Sequence, residues 1–268
     1  MFDCKLICTD IDGTLLDGNH KISPENRRVI AKAYRKGITI ALISGRKASS
    51  LELLQAELGI HGPLGCYSGA LVVDEGKILA SHPITWKNTK EVLSFVEGMG
   101  LESFIYTDKR WYIQKESPWM AFETSVSHTE GKVVPFDELP EHCTNNNEIP
   151  YKILCMSEDI SLVLEAEKLL HRKFSQALNI YRSGPRYLEI SAKDVDKGHA
   201  LEEICRAYGY ETSQAMAIGD YFNDLGMLKV AGHSVAMANA PDEVKRHAHT
   251  VTASNLEDGL AKAIEAIL

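Results

Sequence analysis

The chain has no stretch approaching the roughly 20 consecutive apolar residues that a membrane-spanning helix requires, which excludes such a helix within its 268 residues. It has no Cys-x-x-Cys pair. Its six cysteines (Cys4, Cys8, Cys66, Cys143, Cys155 and Cys205) therefore give little support to a zinc ribbon or a thioredoxin-like redox pair. Most of them sit among apolar residues and read as small core hydrophobes. It has no excess of positive charge. With 29 Lys+Arg against 37 Asp+Glu the net charge is -8, and a general nucleic-acid surface would need a basic face. A small anionic ligand is not excluded, because a bound cation and one or two lysines can reverse the field locally. There is no biased tract and no repeat. Asp3 and Asp10 interrupt the N-terminal region without a long apolar run, so no secretion signal is expected. A disulfide framework is not expected either. The expectation is a reduced, cytoplasmic protein.

What is present is ordinary soluble-protein composition, 44% hydrophobic and 25% charged, in a chain long enough for one large or two smaller domains. An apolar run over 5–9 ends at carboxylates and reads as a buried strand. Ser23-Pro24 opens a helix whose apolar face is Val29, Ile30 and Ala33, and Gly37 ends it. A strand follows over 38–43, then a helix with Leu51, Leu54 and Leu58 at helical spacing. Strand, helix, strand, helix is the signature of a parallel sheet with crossover helices.

The rhythm then changes. A hairpin-like signal centres on Asp74-Glu75-Gly76-Lys77. Beyond Pro83 come a helix over 88–99, a strand pair over 103–107 and 111–114, a strand over 152–156, a helix over 161–171, and strands over 178–182 and 187–190. This pattern reads as an α+β insertion with an antiparallel sheet, and Asn145-Asn146-Asn147 as an exposed loop. The first rhythm resumes near Lys193, with a helix over 198–208, an apolar strand over 215–218, a helix over 225–230, a strand over 234–237 and a closing helix over 257–267. The expected fold is α/β, a Rossmann-like doubly wound, mainly parallel sheet core with an inserted α+β domain. Core residues are 1–82 and 191–268, and the insertion covers 83–190.

The chemistry concentrates where strands of the core end, the edge at which ligands bind in open α/β sheets. Asp10 and Asp12 follow the first strand, and residues two apart on an extended chain point the same way. Two such carboxylates are costly unless a cation joins them or one is protonated. A plain Asp-Gly turn is the alternative reading. Asp220 and Asp224 follow a later apolar strand and reach the same edge. Asp224 can also serve only as an acid at a helix start. Ser44, beside the backbone N–H of Gly45, offers an anion site or simply a helix cap. Lys197 opens a helix and offers a point charge suited to phosphate. Together these make a carboxylate cage for Mg²⁺ beside donors for phosphoryl oxygens, the parts phosphoryl transfer requires.

Four pieces in this order resemble the haloacid dehalogenase superfamily of phosphohydrolases. They are Asp10-Ile11-Asp12-Gly13-Thr14, then Ser44-Gly45-Arg46, then Lys197-Gly198, then Gly219-Asp220-Tyr221-Phe222-Asn223-Asp224. An α+β insertion between the second and third pieces is similar to the type IIB cap of the Cof-like group. Ser68-Gly69-Ala70 stands where that group usually has Asn-Gly-Ala. The resemblance implies a Mg²⁺-dependent phosphatase acting on small phosphorylated metabolites, sugar phosphates foremost, without nucleic-acid or membrane partners. Asp10 would be the nucleophile that forms an aspartyl-phosphate, and Asp12 the acid and then base that also lends its carbonyl to the metal. Asp220 and Asp224 would complete the metal site. Ser44, Gly45, Lys197 and Asn223 would hold the phosphoryl group, although Asn223 can equally cap the following helix. Thr14 reads as a local partner of its own loop, and Arg46 as a structural or surface residue rather than a ligand. Trp111, Trp119, Tyr106 and Tyr112 read as core of the insertion, with His128, His142 and Arg186 as specificity candidates. A phosphomutase would use the same aspartyl-phosphate. A phospho-acceptor signalling module would need neither Asp12 nor so large an insertion.

Overall fold

The computed structural model describes residues 2–127 and 129–268. The residues up to Ser81 and the segment Asp196–Leu268 form one compact unit, and His82–Val195 forms a second. The first unit starts with β1 (Leu6–Thr9), α1 (Pro24–Arg35), β2 (Thr39–Ile43), α2 (Ala48–Leu58) and β3 (Leu64–Cys66). Ser23 caps α1 by accepting from the Asn26 N–H, and Pro24 fills the first helical position. β4 (Leu71–Asp74) and β5 (Lys77–Ser81) follow as the expected hairpin. Glu75 (φ 46) and Gly76 (φ 78) supply the two left-handed residues such a tight turn needs.

The second unit carries α3 (Trp86–Glu97), β6 (Glu102–Thr107), β7 (Trp111–Ile113), α4 (Pro118–Ser127), β8 (Lys132–Val133), α5 (Leu139–Asn145), β9 (Pro150–Met156), α6 (Ile160–Phe174), β10 (Leu178–Gly184) and β11 (Tyr187–Ala192). The first unit then resumes with α7 (Lys197–Tyr208), β12 (Ala215–Gly219), α8 (Leu225–Val230), β13 (His233–Ala236), α9 (Asp242–Lys245), β14 (Thr250–Val251) and α10 (Gly259–Glu265). No described helix is long and apolar enough to cross a membrane.

The sheet of the first unit has the order β14-β13-β12-β1-β2-β3-β4-β5. It is parallel from β14 to β3, and β4 and β5 are added antiparallel. Leu6, Cys8, Ala41, Ile43, Ala215 and Ala217 point to one face and pack with Leu201, Ile204 and Cys205 of α7 and Met227 and Leu228 of α8. Their alternates Ile7, Ile40, Leu42, Met216 and Ile218 are equally buried on the other face, the side to which period-two alternation sends them. Burial on both faces is why these strands read as unbroken apolar runs. Asn26 ties α1 to the rest of the unit, donating to the Leu15 carbonyl and accepting from the Ala261 N–H.

In the second unit the sheet order is β10-β11-β9-β6-β7-β8. One face, with Ile105, Tyr112, Ile153, Cys155, Leu188 and Ile190, packs on Val92, Leu93 and Val96 of α3 and Val163, Ala166 and Leu170 of α6. The sheet is not antiparallel throughout, as the sequence suggests: β7 and β8 pair in parallel, because α4 carries the chain across between them. Two helices of this unit escape the sequence reading. α4 (PWMAFETSVS) spreads its apolar residues around the helix without a clean stripe. α5 is short, with Pro140 in its first turn and Thr144 and Asn145 at its end. The Asn-Asn-Asn loop thus starts one residue late, and Asn147 takes the left-handed conformation (φ 50) that Asn tolerates. α3 starts at Trp86 rather than residue 88, because Thr85 is the cap that accepts from the Asn88 N–H. β11 runs past residue 190, and the side chains of Asn179 and Ser191 both donate to the Val195 carbonyl. The second unit therefore reaches Val195.

Leu170 is fully buried on α6. Leu170→Ala should lower stability by about 2–5 kcal/mol, the usual result of an unfilled core cavity, read as a shift in the urea midpoint at unchanged slope.

Candidate active site

Parallel register builds the site. Cys8 is level with Ala217 and Thr9 with Ile218, so the chain leaves β1 at Asp10 beside Gly219 and Asp220. The Asp10 N–H continues the ladder by donating to the Ile218 carbonyl at 3.0 Å. Asp224 closes the loop after β12: its Oδ2 accepts from the backbone N–H groups of Asp220 and Tyr221, each at 2.8 Å. One oxygen each of Asp10, Asp220 and Asp224 lies within 4.8 Å of the others, and all three residues are buried.

Lys197, the first residue of α7, enters this group. Its Nζ donates to Asp10 Oδ1 and to Asp224 Oδ1, each at 2.5 Å, and its side chain has no exposure at all. Burial alone would drive Lys197 towards the neutral form, but Asp10 and Asp224 outweigh it and raise its pKa. Three carboxylates against one ammonium leave a deficit of two positive charges. Burial, with Asp224 beside it, accordingly pushes Asp220 up to about 7. Burial also raises Asp10, against the pull of Lys197. An all-oxygen donor set short of two positive charges fits a hard divalent cation such as Mg²⁺, and the residues that would hold it are Asp10, Asp220 and Asp224.

Close packing fixes these groups. A Cβ on Gly13, which has φ +87, would lie 2.4 Å from Asp220 Oδ2, and one on Gly219 would lie 2.5 Å from the Asp224 carboxyl carbon. Two supports for Asp220 were not foreseen. Thr14, expected to bond within its own loop, instead donates to Asp220 Oδ1 at 2.8 Å. Asn239 donates to Asp220 Oδ2 at 3.2 Å and to the Gly13 carbonyl at 2.9 Å, while its own carbonyl accepts from the Asn255 N–H. Neither Asn239 nor Asn255 falls in a motif, and only the fold shows where they go.

Asp12 stands apart from the cage. The strand ends at Thr9 and the chain turns through bonds to the Ile11 carbonyl, so the two-residue spacing no longer sets the direction of its side chain. Its carboxylate is 46% exposed and is gripped by Arg46, with Nε at 2.9 Å and Nη2 at 2.5 Å; His20 Nδ1 lies 3.6 Å away. Arg46, expected to be a structural or surface residue, is an ion-pair partner of a candidate site residue. Ser44 follows β2, is buried, and accepts from the Arg46 N–H at 3.3 Å. Gly45, beside it, is half-buried. Asn223 is half-buried in a 3-10 turn over Phe222–Asp224 and does not cap α8, whose capping position is Asp224.

Among the other sequence candidates, Trp111, Tyr106 and Tyr112 are buried in the second unit and Trp119 is half-buried. His142 lies edge-on to Tyr112. Arg186 forms an exposed pair with Glu158 at 3.0 Å. His128 lies outside the described residues.

A model of the haloacid dehalogenase-like hydrolases matches residues 7–264. A Haemophilus influenzae protein is 35% identical over 264 residues, covering 97% of each chain. A 5-amino-6-(5-phospho-D-ribitylamino)uracil phosphatase of Bacillus subtilis is 31% identical over 289 residues, covering 98% of each. A solved structure of a haloacid dehalogenase subclass IIB sugar phosphatase aligns over 98% of both chains with a TM-score of 0.84 at 25% identity.

Removing one partner of a buried ion pair strands the other charge. Lys197→Ala should therefore destabilise the protein by about 3–5 kcal/mol, measured by chemical denaturation. Gly13→Ala should lower the melting temperature by several degrees, since a left-handed backbone carrying a Cβ costs about 1–2 kcal/mol before its clash with Asp220 is counted.

Proposed function

The chain belongs to the haloacid dehalogenase-like hydrolases, and we propose that it is a Mg²⁺-dependent phosphatase of small phosphorylated metabolites, sugar phosphates foremost, working through an aspartyl-phosphate on Asp10. The observation that carries this reading is the buried group of Asp10, Asp220, Asp224 and Lys197 at the ends of β1 and β12. It supplies a carboxylate, a cation site and a fixed positive charge at one sheet edge.

On this reading an Asp10 carboxylate oxygen attacks phosphorus, and the bond from phosphorus to the leaving oxygen breaks. Asp12 gives that oxygen a proton and the alcohol departs. Asp12 then takes a proton from a water that attacks the aspartyl-phosphate. The bond from phosphorus to the Asp10 oxygen breaks, inorganic phosphate leaves, and Asp10 returns as a carboxylate while Asp12 is again the acid. Ser44, the Gly45 N–H, Lys197 and Asn223 hold the phosphoryl oxygens. Asp10, Asp220, Asp224 and the Asp12 carbonyl would hold the cation, which would supply neutralisation of phosphoryl charge. The exposure of Asp12 suits a group that must exchange protons with an alcohol and with water.

The inserted unit, expected over 83–190, serves as the cap that selects the leaving group. Two relatives act on phosphorylated polyol-like or sugar compounds by name, which favours a hydroxyl-rich metabolite. The acidic balance of the chain favours a small ligand over a polynucleotide.

The direct test is hydrolysis of p-nitrophenyl phosphate. Asp10→Asn should reduce kcat by on the order of 10³-fold or more, the scale on which loss of a nucleophile is felt. Chelation with EDTA should abolish turnover and added Mg²⁺ should restore it. Full activity in Asp10→Asn overturns the mechanism.

A further inference from the structure

Ser68 belongs to the segment that the sequence places at the position of an Asn-Gly-Ala motif, and the reaction scheme leaves it without a role. It is 1% exposed, and its hydroxyl has no hydrogen-bond partner among the described residues. Buried hydroxyls are almost always paired, and an unpaired one is a standing cost. Ser68 carries a second cost. Its φ of 55° and ψ of 32° are left-handed, and Tyr67 before it has φ 51°, a conformation in which a Cβ crowds the backbone.

The surroundings hold this strained turn in place. The Ser68 N–H donates to the Ser44 carbonyl at 2.8 Å, and the Tyr67 N–H donates to the Arg46 carbonyl at 3.0 Å. On its other side the turn lies against the start of α7. A Cβ on Gly69 would be 2.3 Å from the carbonyl oxygen of Asp196, the residue before Lys197. Ser68 is thus clamped between the loop of Ser44 and the helix that delivers Lys197, the two elements assigned above to the phosphoryl group. Two costs on one residue at that place are explained if a ligand completes its bonding. The ligand must offer an acceptor, and a phosphoryl oxygen is a strong one.

We propose that the Ser68 hydroxyl donates to a phosphoryl oxygen of the bound phosphate ester and of inorganic phosphate, as an anchoring group beside Ser44. The proposal rests on the phosphatase reading and adds to it a residue outside the four motifs.

The test compares the wild-type protein with Ser68→Ala and Ser68→Gly in Mg²⁺-containing buffer. The readouts are KM for p-nitrophenyl phosphate, the inhibition constant of inorganic phosphate, and melting temperature without phosphate. Loss of an anchoring bond should raise KM and the inhibition constant each about tenfold, equivalent to about 1.4 kcal/mol. The melting temperature should stay level or rise, because an orphan hydroxyl has been removed. Ser68→Gly also relieves the left-handed strain and keeps the test open if the alanine variant folds poorly. Unchanged KM and inhibition constant in either folded variant overturns the proposal while leaving the phosphatase reading intact. A wild-type protein that neither hydrolyses the ester nor responds to phosphate takes both down.

Discussion

The contact on which the rest of the site depends is the ion pair of Lys197 with Asp10 and Asp224. A lysine with no exposed side-chain surface stays charged only where carboxylates meet it. The same holds in reverse for Asp10 and Asp224, which lie deep enough to need a cation beside them. The pair joins residues 187 and 27 positions apart in sequence. Its formation therefore requires β1, the loop after β12 and the start of α7 to have docked. The unit cannot assemble this site loosely, since a half-made version leaves a buried charge without a partner.

Backbone proximity turns that electrostatic constraint into a geometric one. Gly198 packs against the backbone of Gly226, and a Cβ on Gly226 would meet the Asp196 carboxylate at 2.3 Å. That carboxylate caps α7 by accepting from the His199 N–H at 2.9 Å. The axis on which Lys197 sits is thus fixed at its first turn. Asp220 is fixed from three sides, by Thr14, by Asn239 and by the absence of a side chain on Gly13. These supports do for the carboxylates what outer-shell partners do for metal ligands elsewhere: they set direction before any ligand arrives.

Much of this was legible in the chain. The apolar runs of β1, β2 and β12 mark a sheet buried on both faces, and the carboxylates come where those runs stop. Parallel register then brings Asp10 and Asp220 to one edge without further information. The reading failed where the signal was not periodic. α4 has no single apolar stripe, and α5 is hidden by Pro140 and a run of Asn. Asn239 and Asn255 look like ordinary loop residues, and only the closing of the last segment over Gly13 gives them a role. Strand alternation does not reach Asp12, which lies three residues past the end of β1 at Thr9.

That last failure sharpens the division of work between the two aspartates. Asp10 is buried, and Lys197 donates to it. Asp12 is half in solvent and held by a guanidinium. A nucleophile gains from losing its water, because its charge is then balanced by fixed groups rather than by a mobile shell. A proton carrier has the opposite need, since it must reach an alcohol in one step and a water in the next. Two carboxylates on one side of a strand would share one environment and compete for one role. The turn after Thr9 separates them into a dry site and a wet one, and on the proposed mechanism this lets two identical side chains, two residues apart, do different chemistry.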